Sequence, residues 1–130
     1  MLAALAAVPA QAAAPVAGRW LTTERDSVIE IGPCGTALCG RVARVLKRMP
    51  DGRMPLDLNN PNAALRNRPV QGLTILSNFT DGGSVWNGRI YDPRSGKTYK
   101  SKLERLGNGN LKVSGCVAFF CQSFVWTPAR

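Results

Sequence analysis

The sequence predicts an all-β chain: an eight-stranded up-and-down β-barrel with one short helix in its single long loop. Three observations carry this. Short apolar runs recur about every ten to fifteen residues, strong turn chemistry separates them, and several runs alternate apolar and polar residues with period two. The 130 residues suit one domain, because compact domains cluster at about 100–150 residues. Thirteen Gly and nine Pro fall between the apolar runs, which is the punctuation of short strands and not of long helices.

Residues 1–14 carry no charge and are rich in Ala, ending in the small-x-small triplet Ala10-Gln11-Ala12. This reads as a residual signal peptide or a disordered N-terminus, with cleavage after Ala12 or a neighbour; a short Ala-rich helix would be interrupted by Pro9 and Pro15. The barrel domain is then expected over 15–130. Its strands fall at 18–23, 27–31, 38–46, 72–79, 85–91, 98–106, 111–117 and 122–127. Thr80-Asp81-Gly82-Gly83, Asp92-Pro93-Arg94-Ser95-Gly96 and Gly107-Asn108-Gly109 supply Gly or Asn where a tight turn needs a positive φ. Leu73, Ile75 and Phe79 share one parity, as do Leu111, Val113 and Val117, and Phe124 and Trp126, so each set is expected on one buried face. The excursion over 47–71 holds the short helix at 60–66, where Asn60 suits the cap and Pro61 the first helical position. Eight strands in hairpin sequence close most naturally into a barrel, which removes exposed sheet edges. Such a barrel is just wide enough to fill with side chains or to hold one small ligand, and both outcomes stay open.

Four cysteines, Cys34, Cys39, Cys116 and Cys121, read as a disulfide framework in an exported chain. A zinc site would have to be all-Cys, because the chain has no His, and an oxidising compartment would compete for those thiols. In a meander the two cysteine-bearing loops open at opposite ends, and cross-pairing would exceed the roughly 7 Å limit between Cα atoms. The expected bridges are therefore Cys34–Cys39 and Cys116–Cys121.

Several strings then stand together in order: Gly18-Arg19-Trp20; Cys34-Gly35 with Leu38-Cys39-Gly40-Arg41-Val42; Asn60-Pro61 leading to Leu65-Arg66-Asn67-Arg68-Pro69; Trp86-Asn87-Gly88-Arg89-Ile90-Tyr91-Asp92-Pro93 with Gly96-Lys97-Thr98-Tyr99; Leu111-Lys112-Val113 with Gly115-Cys116; and Trp126-Thr127. This ordered set resembles an uncharacterised family of exported bacterial proteins, domain of unknown function 2147, over nearly the whole chain from about Gly18 to Thr127. The resemblance implies a lipocalin-like barrel and a periplasmic or secreted location, and it brings no activity with it. Gln71-Gly72 departs from the Cys-Gly expected there in many members. Gly18-Arg19-Trp20 also resembles the Gly-x-Trp opening of lipocalins, whose Trp plugs the barrel base under a basic residue near the chain end; Arg130 is the partner that resemblance suggests.

The chemistry is mostly exclusion. Without His there is no Ser-His or Cys-His nucleophilic site and no His-based metal centre, and oxidised cysteines offer no thiolate. Nothing brings two of the eight carboxylates to a glycosidase spacing of about 5 to 9 Å, so Asp57, Asp81 and Asp92 read as turn residues. No enzyme activity, metal or cofactor is expected. Lys and Arg outnumber Asp and Glu by 17 to 8, a net charge of +9 that favours anionic partners. The cations are spread from Arg19 to Arg130 and not gathered in a stripe with stacking aromatics, which argues for an anionic envelope lipid or polymer and against nucleic acid. A generally basic solvated surface is the plainer alternative. Beyond the N-terminal run, no segment approaches the roughly 18 apolar residues that would cross a bilayer.

Seven residues are candidate ligand contacts. Arg66 and Arg68 are suited to clamp an anion, or else to pair with Asp57 and cap carbonyls. Trp86, Tyr91 and Tyr99 are suited to line a cavity, or else to fill the core, with Trp20, Trp86 and Trp126 expected inside and Tyr91 and Tyr99 at the surface or rim. Phe119 and Phe120, adjacent in a tight loop between cysteines, read as a plug over the barrel mouth or an exposed contact patch. The expected function is a periplasmic or secreted non-enzymatic binding protein of the bacterial cell envelope, with a small apolar or amphipathic ligand in the barrel. The alternative is a filled-core interaction or structural module whose basic surface contacts anionic envelope components or a protein partner.

Overall fold

A computed structural model describes residues 12–130. The signal-peptide reading falls mainly on residues 1–11 and so lies outside the described residues. Eight antiparallel strands follow one another around a closed barrel: β1 (Gly18–Leu21), β2 (Ser27–Cys34), β3 (Ala37–Val45), β4 (Thr74–Asp81), β5 (Trp86–Asp92), β6 (Lys97–Arg105), β7 (Leu111–Val117) and β8 (Phe120–Pro128). Each pairs with its sequence neighbour, and β1 closes on β8 through Trp20 opposite Pro128 and Leu21 opposite Thr127. The up-and-down order puts the β2–β3, β4–β5 and β6–β7 turns at one end, called lower here. The β1–β2, β5–β6 and β7–β8 turns and the long excursion lie at the upper end.

Alternation decides what each strand buries. Across β5 to β8 the register aligns Trp86, Leu103, Val113 and Phe124 on the inner face, with Leu111 and Trp126 one step lower. Trp20, Ile29, Ile31, Val42, Leu76 and Phe79 complete the core from the other wall. Phe79 reaches deep into it because Gly88, on the facing strand, has no side chain. A Cβ there would sit 2.6 Å from the Phe79 ring, so the glycine makes room for the largest fully buried side chain.

β4 departs from the parity expected for it. Asn78 adopts a positive φ of 58°, and the β4–β5 register slips between Ser77 and Thr80. This bulge flips the alternation, so Leu76 and Phe79 face inward although three residues apart. Ile75, one residue before Leu76, falls on the outer face and is buried there, opposite Tyr91 by register. The excursion makes this possible. It leaves β3, crosses the upper end, and rests on the β5–β6 turn, where Asn59 Nδ2 donates to the carbonyls of Pro93 and Arg94 at 3.3 and 2.9 Å. The short helix expected at 60–66 is a single 3-10 turn, Ala63–Leu65, capped by Asn62 and not by Asn60. Asn60 instead accepts from the Asn62 N–H at 2.8 Å, an Asx turn that competes with helix extension. Both expected disulfides are present, Cys34–Cys39 at the lower end and Cys116–Cys121 at the upper, each joining the strands of its own hairpin.

Candidate functional site

The seven sequence-derived candidates separate into four places. Arg66, Arg68 and Tyr91 belong to the seam between the excursion and the barrel wall. Asp57 lies fully buried there and accepts from the Tyr91 hydroxyl at 2.5 Å, from Asn60 Nδ2 at 2.9 Å and from Arg68 Nε at 2.9 Å. Arg66 Nε donates to the Asn60 carbonyl at 2.8 Å. Both arginines are thus turned to internal partners, and the cluster clamps the excursion to β5. Burial pushes the Asp57 carboxyl up, but the three hydrogen bonds and the Arg68 charge outweigh it and hold it below the ordinary carboxylate range. Burial, followed by the hydrogen bond and charge of Asp57, pushes the Tyr91 hydroxyl up.

Trp86 lies at the lower end, half-buried against the core, with Nε1 donating to the Ala14 carbonyl at 2.9 Å. Tyr99 does not share the Tyr91 face of the sheet. The β5–β6 hairpin pairs Tyr91 with Thr98 and Ile90 with Tyr99, so Tyr99 faces inward near the upper mouth. The reason is the closing pair, Asp92 with Lys97, which makes the sum of paired positions odd. Phe119 and Phe120 cap the β7–β8 hairpin and are 99% and 84% exposed. Val117 beside them is also exposed. Trp20 is covered by the guanidinium of Arg105, 5.3 Å from its ring centroid, in the place assigned to Arg130 by the lipocalin resemblance.

A feature missed by sequence reasoning lies between these places. The outer faces of β5 and β6 set Arg89 directly opposite Lys100 and Asn87 opposite Lys102. Two concavities of about 370 and 430 Å³ open on this side, sharing Arg89, Lys100, Cys116 and Ala118; the first adds Lys102 and the second Lys97, Tyr99 and Val117. The two adjoin through these shared residues and reach Ala118, at the foot of the apolar hairpin; together they make up the basic groove. Among the described residues, none of Arg89, Lys97, Lys100 and Lys102 has an ion-pair partner, whereas Arg19, Arg41, Arg53, Arg68 and Arg94 all do. Like charges directly opposed on a sheet repel, so the groove is electrostatically unsatisfied as it stands. The signal was legible: once Asp92-Pro93-Arg94-Ser95-Gly96 is read as the turn, counting back from it aligns Arg89 with Lys100.

β1 ends at Leu21, opposite Thr127, and beyond that pair the Thr23 hydroxyl donates to the Val125 carbonyl at 2.7 Å. Phe124 faces inward by register yet is 44% exposed. Ser101 Oγ, buried on the inner face, has no hydrogen-bond partner among the described residues. Among the described residues no three of His, Cys, Asp or Glu gather closely enough to hold a metal ion, and no helix is long and apolar enough to cross a membrane.

A family model described as an uncharacterized protein conserved in bacteria (DUF2147) matches residues 18–128. No curated protein sequence matches the chain. Among solved structures it is similar to protein HP1028 from the human pathogen Helicobacter pylori, described as belonging to the lipocalin family, with 24% identity and a TM-score of 0.77 over 89% of this chain and 84% of that one. That likeness establishes a lipocalin-like fold.

Proposed function

We propose that this chain, which belongs to the bacterial family known as domain of unknown function 2147, is an exported, non-enzymatic binding protein of the cell envelope that takes an anionic amphiphile at the upper end of its barrel. One observation carries the reading: four cations without ion pairs line a groove that runs to a hairpin whose apolar tip is almost wholly in water. A phosphate or carboxylate headgroup relieves the Arg89–Lys100 repulsion, while Phe119, Phe120 and Val117 meet the acyl region. The uncharged Ala-rich segment ending at Ala10-Gln11-Ala12, and two disulfides, support export to a periplasmic or extracellular compartment.

Of the two readings drawn from the sequence, the basic-surface module gains most from this geometry. The interior-carrier reading keeps a specific observation of its own, the inward yet exposed Phe124 and the buried Ser101 hydroxyl, which has no hydrogen-bond partner among the described residues. There an apolar tail enters between Tyr99 and Phe124.

Cosedimentation with phosphatidylglycerol-containing and pure phosphatidylcholine vesicles tests the proposal. Binding is expected only to the anionic vesicles, and to weaken steeply toward physiological salt, where exposed charges are screened over about 8 Å. Arg89→Glu with Lys100→Glu is expected to abolish it. Phe119→Ser with Phe120→Ser is expected to weaken it roughly 10²–10⁴-fold, since each buried Phe contributes about 1.5–3 kcal/mol. Equal binding to both vesicles, or binding indifferent to salt, overturns the reading.

A further inference from the structure

The lower mouth of the barrel is closed by the chain that precedes β1, and the closure begins at one residue. Val16 is fully buried, and Trp20 Nε1 donates to its carbonyl at 3.0 Å. Arg105 Nη1 donates to the Pro15 carbonyl at 3.3 Å and Trp86 Nε1 to that of Ala14 at 2.9 Å. The next group along is the Ala13 nitrogen. It lies 3.0 and 3.1 Å from the two carboxylate oxygens of Asp81, the residue that ends β4, and the Ala13 side chain is buried. Ala12, immediately before it, is exposed.

An amide nitrogen has one hydrogen, and here it is divided between two anionic oxygens. An α-ammonium has three hydrogens and a positive charge, and it satisfies both oxygens separately. The sequence supplies the means of making one at this position: Ala10-Gln11-Ala12 is a small-x-small triplet whose cleavage point is the Ala12–Ala13 bond. We infer that the mature chain begins at Ala13 and that its α-ammonium is the group Asp81 is placed to receive, an ionic latch that closes the lower mouth once the leader is removed. This rests on the export reading above and locates its processing site.

The step is a hydrolysis by a peptidase of the signal-peptidase class. Water adds across the Ala12–Ala13 amide, the C–N bond breaks, the water oxygen passes to the new Ala12 carboxylate and the Ala13 amine takes up a proton. Cleavage must precede docking, because in the folded barrel Ala13 is buried. Asp81 Oδ1 also accepts from the Gly83 N–H at 2.8 Å, so the β4–β5 turn holds the carboxylate in position.

The test is to recover the protein from the envelope of its native host after expression of the full chain, read its N-terminus by intact mass, and compare its melting temperature with that of the same chain bearing an Nα-acetyl group on Ala13. The expected start is Ala13, with the acetylated form melting about 3–6 °C lower. In Asp81→Asn, which keeps one oxygen for Gly83, the acetylation effect is expected to vanish, since the two changes remove the same interaction. An exported chain beginning at another residue overturns the latch and leaves the export reading standing. A chain recovered whole and unexported overturns both. Equal melting of free and acetylated forms, or an acetylation effect that persists in Asp81→Asn, overturns the latch alone.

Discussion

Asp57→Ala should loosen the excursion without dissolving the barrel. Three donors, the Tyr91 hydroxyl, Asn60 Nδ2 and Arg68 Nε, converge on a carboxylate that has no exposure. Removing it strands all three, and a buried donor left without a partner costs about 1–3 kcal/mol. The Arg68 side chain is 38% exposed and can turn to water, so its share falls at the low end. The expected loss is about 3–5 kcal/mol, the range for breaking a buried pair from one side. Two of the three donors belong to the excursion, so the damage should be local. Urea unfolding should report the loss, and native-state proteolysis should cut within residues 47–71 before it cuts any strand. A loss below about 1 kcal/mol with unchanged proteolysis would refute the clamp.

The same cluster sets a pH dependence. The Asp57 carboxyl is depressed in the folded state, so its stabilising contribution is complete above the ordinary value of about 3.9 and is lost as pH falls through the folded value. Acid titration of the melting temperature should show this limb in the wild type and lose much of it in Asp57→Asn. Phe79→Ala, at the buried centre behind Gly88, is expected to cost about 3–5 kcal/mol by urea unfolding; a cost under about 1.5 kcal/mol would mean the interior is not packed around that ring. Gly96→Ala places a Cβ 1.8 Å from the Asn59 carbonyl oxygen at a φ of +71°, so the excursion must lift off the β5–β6 turn. Hydrogen exchange in residues 59–60 should accelerate, and unchanged exchange would count against that contact. Replacing Cys116 and Cys121 together with Ser should cost about 2 kcal/mol, as expected for a short closed loop, with the lower hairpin unaffected.

Turn chemistry made most of the architecture legible. Asp92 to Gly96 and Gly107 to Gly109 locate two hairpins, and the parity of Leu111, Val113, Phe124 and Trp126 assigns the inner face of β7 and β8. Local reasoning failed where one residue changed the count. The Asn78 bulge put Ile75 and Phe79 on opposite faces, and the closing pair of the β5–β6 turn turned Tyr99 inward. Arg105 covers Trp20 because its strand ends at the lower mouth, a proximity that emerges only once the barrel is closed. The site candidates fared unevenly for the same reason. Arg68 had its partner, Asp57, within a dozen residues, and Arg66 had the Asn60 carbonyl six residues away; the structure joins both in one cluster. The basic groove required a register across two strands before Arg89 and Lys100 could be seen to face each other.

The most direct test of binding at the groove is native mass spectrometry of the protein purified from its own host's envelope. An anionic amphiphile should accompany the wild type in stoichiometric amount and be absent from the Arg89→Glu/Lys100→Glu variant, which should melt at or near the wild-type temperature. A preparation free of any such molecule, or a neutral apolar one that survives the charge reversal and is lost in Phe124→Ser, would contradict the groove and place the ligand inside the barrel or nowhere on it.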